Sequence, residues 1–123
     1  MQNNCVIATV LMAFYDEEEY FFRQAIESII QQLTDNIELI LIDDNSSKEL
    51  PKIIYDLEKQ NHKVRLIRNN QNQGLGYCLF IGTQKAQGKY IIRMDSDDIC
   101  LPDRFSKQIS FLEENPEIDI VGG

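Results

Sequence analysis

The sequence predicts an α/β domain built on a doubly wound, mostly parallel sheet with helices on both faces, and three observations predict it. Short apolar runs rich in β-branched residues alternate with amphipathic helical stretches along the whole chain. The loops between them are short. The early runs, residues 6–14 above all, are almost continuously apolar, as strands buried on both faces of a parallel sheet must be. Right-handed crossovers through the helices then make the strands parallel, a Rossmann-like arrangement.

Residues 6–14 form the first strand. Tyr15-Asp16 leads out of it, and Glu17-Glu18-Glu19 reads as the charged first turn of a helix, where carboxylates complement the positive end of the dipole. Phe22, Ala25, Ile26, Ile29, Ile30 and Leu33 recur at helical spacing and give that helix one apolar face. Asp35-Asn36 turns the chain into a second buried strand, residues 37–42, which runs into Asp43-Asp44-Asn45-Ser46-Ser47. A second helix carries Leu50, Ile53, Ile54 and Leu57 and closes near Gln60-Asn61, with His62 beside it as a solvated residue. A short third strand covers residues 64–67, a Gly- and Asn-rich loop residues 69–76, and a third helix residues 78–86, capped by Gly88. Residues 90–94 are the fourth strand. Pro102 opens a fourth helix through Phe105, Ile109 and Leu112 that stops before Pro116, and residues 118–121 begin a fifth strand. With no repeat, low-complexity tract or linker, residues 1–123 read as one domain.

Hydrophobic residues make up 43% and charged residues 26%, a globular rather than a disordered composition. The formal charge of −8 argues against nucleic acid and anionic membrane surfaces as partners, because both need clustered Lys and Arg. A phosphorylated small molecule is still accessible if a cation bridges it to the protein. Cys5, Cys78 and Cys100 are odd in number and lack Cys-x-x-Cys spacing, so neither a disulfide framework nor a thiolate zinc site is expected, and a reducing, cytoplasmic setting fits. No apolar run approaches the ~20 residues that span a bilayer, so no membrane segment is expected in this chain.

The polar clusters fall at the C-terminal ends of the strands: Tyr15-Asp16, Asp43-Asp44, Asn69-Asn70 and Asp95-Ser96-Asp97-Asp98. In an open parallel sheet these ends share one edge. With the common strand order 3-2-1-4, the order reverses between the first and fourth strands. A crevice then opens between Tyr15 and the aspartates, where ligands of such sheets bind. Three carboxylates within four positions repel one another unless something positive sits there, and a divalent cation is the usual remedy. A solvated loop with an N-cap role is the plainer alternative. An Asp-Asn-Ser-Ser run is also what any strand-to-helix turn takes, and Tyr15 could be a half-buried loop aromatic. Asn72-Gln73-Gly74-Leu75-Gly76 matches neither a phosphate-cradling P-loop nor a dinucleotide fingerprint; Gly74 either lets backbone approach a ligand closely or starts a helix.

Taken together, these features resemble the nucleotide-binding half of a family 2 glycosyltransferase of the GT-A fold. They are the strand into Phe14-Tyr15-Asp16, the Ile42-Asp43-Asp44-Asn45-Ser46 turn, the Asn72-x-Gly74 loop, the Gly88-Lys89-Tyr90-Ile91 segment and Met94-Asp95-Ser96-Asp97-Asp98. The resemblance covers residues 6–123 and implies binding of a nucleoside-diphosphate sugar, a UDP-sugar first among them, with transfer to a saccharide or lipid-linked acceptor. By the same resemblance, Ala13, Tyr15 and Asp44 would hold the base, with Tyr15 stacked on it and Asp44 accepting its imide or amino hydrogen. Gly74 would belong to the nucleotide site, Asp95 would lie near the ribose and the metal, and Asp97 would bind Mn²⁺ or Mg²⁺ directly. The family often has Pro where Ala13 stands and an Arg-Asn pair where Leu79-Phe80 stand, which puts contacts from that helix to the phosphates in doubt. Its general base for inverting transfer is expected beyond Gly123. Bacterial surface polysaccharide synthesis is the association the resemblance carries. Two rivals stay open on the residues alone: a receiver-like or other phosphoryl-transfer domain, whose acidic pair would instead follow the first strand, and a non-catalytic binding module.

Overall fold

Four strands, β1 (Ala8–Phe14), β2 (Ile37–Asp43), β3 (Val64–Arg68) and β4 (Tyr90–Asp95), pair in the order β3-β2-β1-β4. Every pairing is parallel. The computed structural model describes residues 6–61, 63–119 and 121, so Cys5, His62 and Ile120 lie outside the described residues. The helices are α1 (Glu19–Ile30), α2 (Lys52–Gln60), α3 (Leu75–Lys85) and α4 (Arg104–Glu114). The winding order of the strands therefore reverses between β1 and β4, as the sequence leads one to expect.

The faces of the sheet are covered unequally. Val10, Met12 and Phe14 of β1, with Leu39 and Leu41 of β2, pack under Phe22, Ile26 and Ile29 of α1, Ile54 of α2 and Phe105 of α4. On the other face Leu11, Ile40 and Ile42 are covered, among the described residues, by a single helix, α3, through Cys78 and Leu79. β2 is buried along its whole length, which is why its sequence shows no alternation. β4, at the edge, alternates: Ile92 and Met94 are buried while Ile91, Arg93 and Asp95 are exposed.

Several boundaries differ from the sequence expectation. α3 begins at Leu75 rather than Cys78, because Gly74 adopts φ 90° and turns the chain directly into the helix. Its C-cap is Ala86 in extended conformation, not a glycine cap at Gly88. α4 starts at Arg104 after Asp103 in the left-handed region, two residues past Pro102. Among the described residues no fifth strand forms: Ile118, Asp119 and Val121 have no regular structure.

Gly88 has a packing role instead. A buried network ties the α3–β4 connection to the sheet: the Thr9 hydroxyl donates to Glu38 (2.7 Å), which also accepts from Arg65 (3.0 Å) and the Gln87 N–H (2.8 Å), while the Gly88 N–H donates to Thr9 (2.9 Å). This draws Gly88 so close to β1 that a Cβ there would lie 2.6 Å from the Ala8 carbonyl carbon and the Thr9 nitrogen. Backbone cannot yield as a flexible side chain can. We therefore expect Gly88→Ala to destabilise the fold by about 1–3 kcal/mol, read as a lowered urea midpoint at constant slope. Gly76→Ala, in the first turn of α3 with nothing within 4 Å of its Cβ position, should be neutral or stabilising by up to about 1 kcal/mol; equal effects at the two positions would contradict the close-approach explanation.

Candidate functional site

Register aligns the strand ends. Ala13 pairs with Ile42 on one side and Asp95 on the other, Phe14 pairs with Asp43, and Asp43 with Arg68. The loops that follow start from one row across the sheet. A cavity of about 180 Å³ opens there, lined by Ala13, Phe14, Tyr15, Glu17, Asp44, Leu75 and Cys78. A larger acidic groove of about 640 Å³, with Glu17, Glu18, Glu19, Lys48, Glu49 and Tyr55 in its walls, lies on the α1–α2 side.

Acidic side chains staple these loops to one another. Asp16, at φ 49°, accepts from the Ser47 hydroxyl (2.6 Å) and the Lys48 N–H (2.9 Å), and its own N–H donates to Ser46 (3.0 Å), which fixes the β1 loop to the β2 loop. Asp43 is fully buried, takes the Ser46 N–H at 2.9 Å and pairs with Arg68 at 3.1 Å. Asp44, 6% exposed, accepts from the Asn69 amide (2.9 Å), the Gln73 N–H (2.8 Å) and the Gly74 N–H (2.9 Å). It thereby holds the loop before α3 against the end of β2.

Burial pushes the Asp44 carboxyl up, but the Gln73 N–H, the Asn69 amide and the Gly74 N–H outweigh it and hold its pKa below the usual carboxylate value. The Ser47 hydroxyl and the Lys48 N–H lower Asp16 in the same sense. Cys78 lies under Asp44, and burial first, then the neighbouring negative charge, pushes its thiol up to about 11. That makes it an inert wall of the cavity rather than a nucleophile.

At the end of β4 the arrangement is different. Asp95 is 54% exposed and meets only the Arg93 guanidinium, at 3.4 Å. Asp97 and Asp98 are exposed, and among the described residues neither carboxylate has a hydrogen bond or ion pair; the Asp98 N–H closes the turn on the Asp95 carbonyl at 3.1 Å. The Ser96 hydroxyl, by contrast, is buried and donates to Glu17 across the switch point.

The structure thus brings Ala13, Tyr15 and Asp44 to one cavity, Tyr15 with its ring 47% exposed. Gly74 stands beside that cavity as the N-cap of α3, with its N–H on Asp44. Asp95 and Asp97 do not line it; they lie one strand over, beyond Ala13. Among the described residues no group of three His, Cys, Asp or Glu side chains converges as a preformed metal cage. A small divalent cation does not need one, since it commonly takes one or two carboxylates and fills its shell with water and substrate phosphates. Asp95 and Asp97, exposed hard-oxygen donors, fit that mode. Sequence spacing missed Glu17 and Asp16, whose partners sit 30 to 79 positions away.

The lowered carboxyl of Asp44 has a consequence for stability. A depressed folded-state pKa contributes stability that is complete above the unfolded value, near 3.8, and is lost as pH falls through the folded value. Acid titration should therefore unfold the protein progressively below about pH 4. Asp44→Asn, which keeps one acceptor oxygen for three donors, should cost about 1–3 kcal/mol at pH 7 and flatten that acid dependence. An unchanged acid profile in the variant would sink the assignment.

Comparison with known proteins agrees with this architecture. Residues 9–123 match the profile of Glycosyl transferase family 2. An uncharacterized glycosyltransferase of Methanocaldococcus jannaschii is 34% identical over 94% of this chain and 40% of its own length. The amylovoran biosynthesis glycosyltransferase AmsE of Erwinia amylovora is 34% identical over 93% and 43%, and the putative glycosyltransferase EpsE of Bacillus subtilis 36% over 93% and 41%. This chain spans less than half the length of these relatives. The crystal structure of S. aureus TarS 1-349 superposes with a TM-score of 0.80 at 18% identity, covering 90% of this chain and 33% of that one, so the fold is of the same GT-A type. A receiver-like domain is set aside by the same matches, and the chain belongs to glycosyl transferase family 2.

Proposed function

We propose that this chain is the donor-binding domain of a glycosyltransferase that binds a nucleoside-diphosphate sugar with Mn²⁺ or Mg²⁺ and transfers the sugar, with inversion, to a saccharide or lipid-linked acceptor. The observation that carries the reading is the placement of Tyr15 and Asp44 in one cavity at the β1–β4 switch point, with the Asp95–Asp97 pair one strand away. At about 180 Å³ the cavity is smaller than the roughly 300–1,000 Å³ that encloses a whole ligand, so it suits one flat ring with the rest of the donor along the open edge. Tyr15 covers the base. Asp44 has three of its roughly four acceptor positions taken by Asn69, Gln73 and Gly74, and what remains suits the single imide N–H of uracil better than the paired donors of guanine. That favours a UDP-sugar.

Asp97 and Asp95 would hold the cation between the protein and the diphosphate. When bound, it stabilises the negative charge that gathers on the departing nucleoside diphosphate. Asp95 also reaches toward the ribose. The two carboxylates are exposed, whereas Asp16, Asp43 and Asp44 are committed to loop staples, and exposure is what a ligand-binding role requires of them. No residue of this chain is assigned as the base that takes the acceptor proton. The similarity to AmsE, an amylovoran biosynthesis glycosyltransferase, supports a place in bacterial surface polysaccharide synthesis. No helix among the described residues is long and apolar enough to cross a membrane.

Calorimetry with UDP and Mn²⁺ tests the reading. Asp97→Asn should abolish metal-dependent binding while leaving the thermal midpoint within a degree or two, and full affinity in that variant would remove the metal role. Tyr15→Ala should weaken binding by about 1–3 kcal/mol, roughly 5- to 150-fold, if the ring stacks on the base. If no nucleoside diphosphate binds the unmodified chain with metal present, the donor-site reading fails.

A further inference from the structure

Glu17 precedes α1, which begins at Glu19, so it does not serve the first helical turn as its sequence suggests. Its carboxylate reaches across the switch point and accepts the hydroxyl of Ser96, 79 positions away. Ser96 is 5% exposed, the one buried member of Asp95-Ser96-Asp97-Asp98. Around it, the Asp98 N–H on the Asp95 carbonyl at 3.1 Å closes the turn, and the exposed Arg93–Asp95 pair at 3.4 Å is all that touches the flanking carboxylates among the described residues. Surface pairs of that kind contribute little. The buried hydroxyl-to-carboxylate bond is charge-assisted and is the only side-chain tie between this turn and another loop among the described residues.

We propose that Glu17 is a positioning residue for the Asp95 and Asp97 carboxylates: by holding Ser96 it sets the turn that presents them and joins that turn to the loop carrying Tyr15. Glu17 lines the cavity with Tyr15 and Asp44, so a single side chain bridges the base-side and cation-side halves of the site. A small divalent cation tolerates little departure from its preferred geometry, so carboxylates presented by a fixed turn bind it with less reorganisation than carboxylates on a loose one. The acceptor oxygen, rather than the negative charge of Glu17, does the positioning. The inference deepens the donor-site reading and rests on it for its functional half; the ordering of the turn can be measured without any ligand.

The test uses Glu17→Ala, Glu17→Gln and Ser96→Ala in the chain as it stands. Backbone ¹⁵N relaxation in the absence of ligand should show the Asp97 and Asp98 order parameters falling from about 0.85 to below about 0.6 in E17A, with E17Q near the starting value because its amide oxygen still accepts the Ser96 hydroxyl. The Mn²⁺ concentration for half-maximal UDP binding should rise about tenfold in E17A and in S96A and no further in the double variant, since both remove one bond. E17Q should recover most of the loss. Unchanged order parameters in E17A, or an unchanged Mn²⁺ midpoint despite a loosened turn, overturns the proposal. An E17Q as impaired as E17A overturns it in favour of a purely electrostatic effect. Absence of Mn²⁺-dependent UDP binding in the unmodified chain refutes the donor-site reading itself, and the order parameters alone then decide whether Glu17 sets the turn.

Discussion

Asp44 directly follows a strand with no exposed residue, and its carboxylate is where the loop before α3 is fastened to the sheet. Two backbone N–H groups and the Asn69 amide converge on it, so the loop between β3 and α3 has little freedom once β2 is in place. Gly74 makes that convergence possible, because its positive φ turns the chain into α3 with its N–H aimed at the carboxylate. α3 in turn supplies Leu75 and Cys78 to the cavity and is the one helix covering that face of the sheet. Releasing Asp44 would loosen the cavity wall, the helix start and the loop together.

The same solution recurs along the edge. Parallel strands buried on both faces must send their connections out at one edge, and those connections hold few apolar side chains to pack. Carboxylates accepting backbone N–H groups and side-chain donors take over that role: Asp16 joins the β1 and β2 loops, Asp43 joins β2 to Arg68 and Ser46, and Glu17 joins the β1 loop to Ser96. The acidic residues at the edge therefore divide into a committed set and an exposed set. Asp95, Asp97 and Asp98 stand largely free of partners among the described residues, as do Glu18 and Glu49 in the acidic groove, but only the β4 set lies at the switch point beside the Tyr15–Asp44 cavity.

Much of this was legible in the residues. The unbroken apolar runs of β1 and β2 could only be central strands, and the strand order followed from the usual way such units wind. The polar residues after each strand marked the edge, because periodicity stops abruptly there. The division of labour among the carboxylates was not legible: whether Asp43, Asp44, Asp16 or Glu17 binds a ligand or a loop depends on donors 3 to 79 positions away, which spacing does not encode. Boundaries slipped where one backbone angle decides them, at Gly74 before α3 and Asp103 before α4. Among the described residues the expected fifth strand is absent for a different reason. Ile118 and Val121 carry the apolar pattern of a strand, but pattern alone supplies no partner, and β4 hydrogen-bonds only to β1.

The central claim is that the exposed aspartates after β4 and the cavity beside Asp44 act as one donor site. Locating the cation directly tests it: crystals of the protein grown with UDP and Mn²⁺, with data collected for the anomalous signal of manganese. The expected result is a manganese peak about 2.0–2.2 Å from a carboxylate oxygen of Asp97, with the uracil ring against Tyr15. Manganese in the acidic groove between α1 and α2, or a nucleotide bound away from Tyr15 and Asp44, would contradict it.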